Sequence, residues 1–208
     1  MKIIECEQGS DEWHKLRHRP TASSFDRVLT PTGKRSSQAD EYIGQIIAMR
    51  LGVSPENFES SDTIRGHVLE PEAVAFYAFD TGFDVTRVGF CEEDGGRWGC
   101  SPDGLVYEGD MLIKGVEIKC PKVGNYVDYR ISQKCPPKYI PQVQGSMLVT
   151  DAEVWDFMPY HPDLAGHPDI KLPAVIPVER DEKYCSLLHE ALLEFCDKLE
   201  KRYKEITQ

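Results

Sequence analysis

Residues 98–121 read WGCSPDGLVYEGDMLIKGVEIKCP. The stretch is rich in Val, Ile, Leu and Trp and is broken by Pro-Asp-Gly and Glu-Gly-Asp, turn signals between strand-like runs. It predicts strands over 98–107 and 112–120, joined to a third over 84–90 in a meander. Asp103 falls in a turn at the mouth of one strand. Glu117 and Lys119 stand two apart on the next, so they share one face of the sheet while Ile118 between them points into the core.

Two carboxylates and an ammonium on one face are solvated, mutually paired or holding a cation, because a dry and unpaired charge is costly. Magnesium takes oxygen ligands in octahedral geometry and keeps several waters, so Asp103, Glu117 and the Ile118 backbone carbonyl form a set able to hold Mg2+, or Mn2+ in its place. Such an ion polarises a phosphorus centre and lowers the pKa of its water, and Lys119 is placed to orient that water or to stabilise developing negative charge. The outline is a phosphodiester hydrolase with one or two ions. Taken singly, Glu-x-Lys on a strand is also an exposed charge pair, and Ser-Pro-Asp-Gly a common turn.

The bulk composition is that of a soluble globular protein: 208 residues, 40% of them hydrophobic, enough for one substantial core. One domain over 1–208 is expected. MKIIECEQGS at the start lacks the apolar segment of a secretory signal, and no apolar run approaches the ~20 residues that span a bilayer, so the expectation is a cytoplasmic protein without a membrane partner. The seven cysteines are odd in number and form no Cys-x-x-Cys pair, which predicts buried thiols rather than a disulfide framework or zinc ribbon. Scattered histidines, among them His14, His18 and His67, lack zinc-ligand spacing. Trp13, Trp98 and Trp155 are expected in the core.

A net charge of −11 argues against a nucleic-acid partner until its distribution is considered. Residues 15–35 carry six basic side chains against Asp26 alone, and residues 114–138 carry six against Glu117 and Asp128. Residues 53–95 carry ten acids against Arg65 and Arg87. Segregation of this kind suits a positive lining with a negative outside, although each run is also readable as a solvated face.

The remaining elements follow from periodicity. Ser10 predicts an N-cap for a short helix through Trp13 and Leu16; Ile43, Ile46, Ile47 and Leu51 make a helical stripe ending at Gly52. Apolar residues from Asp62 to Thr81 have helical spacing, with Pro71 expected to start or kink the helix. Residues 138–150 read as a helix despite Pro141, EVWDFMPY and LPAVIPVE as strands, and the chain from Asp181 onward as a long amphipathic helix. The order supports an α/β or α+β fold: a central mixed β-sheet flanked by helices, with a restriction-endonuclease-like core.

Pro-Asp followed at short range by hydrophobic-Glu-hydrophobic-Lys resembles the signature of the PD-(D/E)xK nuclease superfamily. The resemblance narrows with EQGSDEWHKLRHRPTASSF (7–25), GHVLEPE (66–72), CSPDGL (100–105), VEIKCP (116–121), YIPQVQGSMLVT (139–150) and VERDEKY (178–184). In this order they resemble segments of phage lambda exonuclease and the YqaJ-type viral recombinases. That resemblance implies a Mg2+-dependent 5′-to-3′ exonuclease on linear double-stranded DNA, releasing 5′-mononucleotides and leaving a 3′ single-stranded tail. It further implies a ring-shaped homotrimer around the DNA, a single-strand annealing protein as partner, and a phage or prophage origin in a bacterial host.

Position by position, the resemblance assigns metal binding to Asp103 and Glu117, the catalytic lysine to Lys119, an additional acid to Glu70 and an active-site glutamine to Gln142. Arg17 and Ser23 match residues that bind the terminal 5′-phosphate, a role that a guanidinium and a hydroxyl can fill. A second phosphate-binding arginine is expected four residues after Pro121, where this chain has Asn125. Lys122 or Arg130 is the expected substitute. The strand-parting wedge falls near Thr63 and Ile64. A site- or structure-specific endonuclease with the same metal site, a non-catalytic DNA-end-binding module and an iron–sulfur variant are the alternatives.

Overall fold

The computed structural model describes residues 1–53 and 61–208, the latter with side chains from Arg65 onward. Along the chain lie β1 (Lys2–Ile4), α1 (Asp11–Leu16), α2 (Ala39–Arg50), α3 (Ser61–Thr81), β2 (Phe90–Glu92), β3 (Gly99–Cys100), β4 (Gly104–Glu108), β5 (Met111–Lys119), α4 (Val123–Ser132), α5 (Ile140–Thr150), β6 (Val154–Pro159), β7 (Ile176–Glu179) and α6 (Glu182–Thr207). Short 3-10 turns occupy Ala22–Arg27 and Pro137–Tyr139. The wedge expected near Thr63 and Ile64 concerns side chains that lie outside the described residues.

The strands form two sheets. β1-β2-β3 is antiparallel, and β4-β5-β6-β7 is mixed. β4 and β5 are a hairpin closed by Gly109 and Asp110, with Gly109 at φ +60 as a tight two-residue turn requires. β5 and β6 run parallel, which demands a crossover, and α4 and α5 provide it. β7 lies at the sheet edge, where it is only four residues long and contains Pro177, two features that blunt an edge against further pairing.

The expected meander is corrected in two places. Within 84–90 only Thr86 makes a bridge, to Leu105, and the ladder starts at Phe90. The predicted strand over 98–107 is cut at residues 101–103, where the chain leaves the small sheet for the large one. Pro102 has no N–H for a ladder, and its carbonyl instead accepts from the Gln8 amide at 3.2 Å, as the Val88 carbonyl does at 3.1 Å. Asp103 therefore sits between sheets.

The two faces of the large sheet are buried differently. Val106 and Val116 with Ile118 and Met158 pack on Ala73 and Tyr77 of α3. Glu117 and Lys119 take the opposite face by alternation, towards α5. Pro141 lies in the first turn of α5, where its missing N–H costs no helical bond, so the helix forms as predicted. α5 presses on the 3-10 turn 22–27 so closely that a Cβ on Gly145 would lie 2.2 Å from the Phe25 ring. α3 continues through Pro71; Pro71 and His67, whose carbonyl would have bonded the missing N–H, are both exposed, so water can reach that carbonyl.

On the far side of α5, α6 packs with α2, joining Leu188, Leu192, Phe195 and Leu199 to Tyr42, Ile43 and Ile46 in the main core. Asp181 caps α6, its carboxylate accepting from the Tyr184 N–H at 3.0 Å. Ser10 caps α1 as predicted, accepting from the Trp13 N–H at 3.2 Å. β1 and α4 have no counterpart in the sequence reading: β1 is three residues long, and α4 opens on Val-Gly-Asn, residues of poor helix propensity.

Candidate active site

Asp103 is fastened to β5 at two points. Its N–H donates to the Val116 carbonyl at 3.2 Å, and its Oδ2 accepts from the Ile118 N–H at 2.6 Å. The clamp brings a turn carboxylate beside the Glu117–Lys119 face. Glu117 itself is 2% exposed, and one of its oxygens, Oε1, receives both Lys119 Nζ at 2.5 Å and the Gln142 amide at 2.7 Å. A carboxylate with this little water is tolerable because two donors offset it.

The fields of these groups oppose and reinforce one another. Burial, then the negative charge of Glu117 and, more weakly, that of Glu70, pushes the Asp103 carboxyl well above the usual carboxylate range, against the pull of Lys119 and the Ile118 N–H. Burial alone would lower the Lys119 ammonium, but Glu117 and Asp103 outweigh it and the net shift is upward. The two carboxylates therefore favour the ammonium form of Lys119. Asp103 and Glu117 sit too close for two comfortable negative charges, which is the donor chemistry of a cation site. Among the described residues no three His, Cys, Asp or Glu side chains gather as a metal cage. Two carboxylates with a carbonyl fit magnesium, which retains waters, better than an ion that needs a full protein cage.

These residues line a cleft of about 650 Å³. Glu70 lines it from α3, with its carboxylate paired to Arg87, a partner the sequence reading had counted only as part of an acidic stretch. Arg17 and Ser23 also lie in it and are brought together: the guanidinium donates to Ser23 Oγ at 3.3 Å. Trp13 is corrected from core to cleft. Its ring lies 4.4 Å beneath the Arg17 guanidinium carbon, and its Nε1 donates to Ser101 Oγ at 2.8 Å. The signal was available, since Trp13 and Arg17 are four apart and thus on one side of a helical turn.

Lys122 and Asn125 line the cleft at the start of α4. Arg130 does not. It is buried on the inner face of that helix, where it donates to the Tyr126 hydroxyl at 2.5 Å and to the Leu172 carbonyl. A phosphate-binding role for Arg130 is thereby withdrawn: Tyr126 and Arg130 are one turn apart and turn inward together. Two residues that the sequence reading left without a role, Lys138 and Tyr139, join the cleft from the 3-10 turn before α5.

The profile of the YqaJ-like viral recombinase domain matches residues 12–153, a span that contains Arg17, Glu70, Asp103, Glu117, Lys119 and Gln142. The chain belongs to the YqaJ-like viral recombinase family. Among solved structures, this family member is similar to the alkaline exonuclease LHK-Exo of Laribacter hongkongensis, with TM-score 0.81 and 30% identity over 95% of this chain and 96% of that one. The complex of LHK-Exo with dAMP gives TM-score 0.80 at 30% identity, again over 95% and 96%. A phage-related exonuclease of Haemophilus somnus 129PT, 18% identical over 93% of this chain and 99% of that one, shares the fold at TM-score 0.69. No curated protein matches the sequence. Among the described residues no helix is long and apolar enough to cross a membrane.

Proposed function

We propose that this YqaJ-family chain is a Mg2+-dependent 5′-to-3′ exonuclease on linear double-stranded DNA, releasing 5′-mononucleotides and leaving a 3′ tail for strand annealing. The observation that carries the reading is the Asp103–Glu117–Lys119 constellation, with Asp103 clamped to the Ile118 N–H in a cleft that also holds Arg17 and Ser23. The 30% identity to an alkaline exonuclease over nearly the whole chain, and that enzyme's complex with a mononucleotide, support it.

Hydrolysis in this reading joins a water oxygen to phosphorus and releases the 3′ oxygen of the terminal nucleotide. Asp103, Glu117 and the Ile118 carbonyl would hold magnesium, or manganese, whose contribution when bound is Lewis-acid polarisation of the phosphoryl group. Lys119, 2.5 Å from Glu117, acts as a cation that stabilises charge building on the phosphoryl oxygens. Gln142 keeps Glu117 oriented through its amide. Arg17 and Ser23 receive the terminal 5′-phosphate. Each cut leaves a new 5′-phosphate on the shortened strand, so the same pair is supplied with its ligand again.

A homotrimeric ring and an annealing protein complete the proposal. The test is a time course on linear duplex DNA with separate 5′ and 3′ labels, with Mg2+ or EDTA, beside a closed circle and a Lys119→Ala variant. The expected result is metal-dependent loss of the 5′ label as mononucleotide, with the circle spared and the variant slower by about 100-fold or more. Cleavage of the circle would replace the reading by an endonuclease with the same site.

A further inference from the structure

The ring of Tyr139 carries two ammonium groups. Lys119 Nζ lies 5.3 Å from its centroid and Lys138 Nζ 4.7 Å. Lys138 is also 6.0 Å from the ring of Tyr129, on α4 one turn beyond Asn125. Both tyrosines rest on Phe157, at 5.4 Å and 6.3 Å between centroids, and Phe157 is the β6 residue in register with Glu117. The aromatic tray is thus anchored to the strand beside the catalytic pair, and the faces of its rings attract cations.

Lys138 is itself exposed and lines the cleft, and no carboxylate among the described residues forms an ion pair with it. Burial is the largest single influence and lowers its ammonium, but Tyr139 and Tyr129 together outweigh it and the net shift is upward. An ammonium seated on two rings thus lines the cavity with no carboxylate partner among the described residues. Lys119, by contrast, gives one of its three donors to Glu117.

We infer that Lys138 is a DNA-binding residue of this site, seated by Tyr129 and Tyr139 to hold a backbone phosphate of the strand being cut, next to the phosphate served by Lys119. The assignment rests on the nuclease reading and deepens it. Lys138 supplies, from the neighbouring turn, positive charge on the side of α4 where Asn125 stands in place of the expected arginine. A backbone contact is indifferent to the chemistry of the strand end, whereas Arg17 and Ser23 are sensitive to it. That difference separates the two roles.

The experiment measures duplex binding by fluorescence anisotropy in EDTA over a series of salt concentrations. It uses 5′-phosphorylated and 5′-hydroxyl ends with wild type, Lys138→Gln, Lys138→Arg, Tyr139→Leu and Arg17→Gln. Lys138→Gln is expected to bind both ends about tenfold more weakly, with the slope of log affinity against log salt shallower by about 1. Lys138→Arg should restore affinity and slope, Tyr139→Leu should lose part of both, and Arg17→Gln should erase the preference for the phosphorylated end. An unchanged slope in Lys138→Gln, while wild type binds and cuts, overturns this assignment alone. If Lys138→Gln instead loses only the end preference, the backbone assignment falls; if wild type binds no duplex, the nuclease reading falls with it.

Discussion

Glu117 and Asp103 place two carboxylates where water is scarce, and the protein answers with one ammonium, one amide and one backbone N–H. The residual repulsion has a measurable consequence. Because the Asp103 carboxyl is raised in the fold, its ionisation opposes folding: the penalty is absent below the unfolded value of about 4, grows as pH rises towards the folded value, and is complete above it. Asp103→Asn keeps an acceptor for the Ile118 N–H and removes the charge. Calorimetry without divalent ions should show the variant melting higher than wild type at pH 8 and level with it below pH 4. Added Mg2+ should raise the wild-type melting temperature at pH 8 and leave the variant unmoved. The Asp, Glu and Lys were legible in sequence because turn chemistry and two-residue alternation are local rules. Trp13 and Arg130 were misplaced because each is decided by what the rest of the chain leaves open: Ser101 draws the indole into the cleft, and the Leu172 carbonyl holds the guanidinium away from it.

At the scale of elements, the contact that aligns the cleft is α5 on the 3-10 turn 22–27. Gly145 allows it, because a side-chain carbon there would lie 2.2 Å from Phe25, a fully buried ring that has nowhere to retreat. Gly145→Ala is expected to destabilise the protein by about 1–3 kcal/mol through overpacking, read as a lower midpoint in urea. It should also weaken end binding, because the displaced turn carries Ser23. α6, with one long apolar stripe, was predictable from its start, and α2 at its C-terminal end, where Gly52 follows the stripe. The meander was only partly so: Ser-Pro-Asp at 101–103 signals a turn, but whether the chain stays in one sheet there or passes to another depends on strands far away in sequence. α4 escaped notice because its propensity is poor and its burial is confined to Tyr126 and Arg130.

For the molecule as a whole, the net charge of −11 and a DNA substrate are compatible if the positive charge is local. Arg17, Lys119, Lys122 and Lys138 line one cleft together with the carboxylates Asp26, Glu70, Asp103 and Glu117, so its positive side stands out only when a bound cation offsets the carboxylates; the outer basic residues Arg35, Arg50 and Lys198 pair with Glu194, Glu200 and Asp40 around α6. An enclosing ring would need only its inner wall to be basic. Light scattering at working concentration should accordingly report three chains per particle, and a monomer would count against the ring. The sequence by itself determined the element types where periodicity is strong, the carboxylate–lysine spacing on β5 and the segregation of charge, since these depend on neighbours in the chain. Only the tertiary structure decided which cations face the cleft, where Asp103 is clamped and which carboxylate is raised, because burial and charge–charge distance are set by residues far apart in sequence.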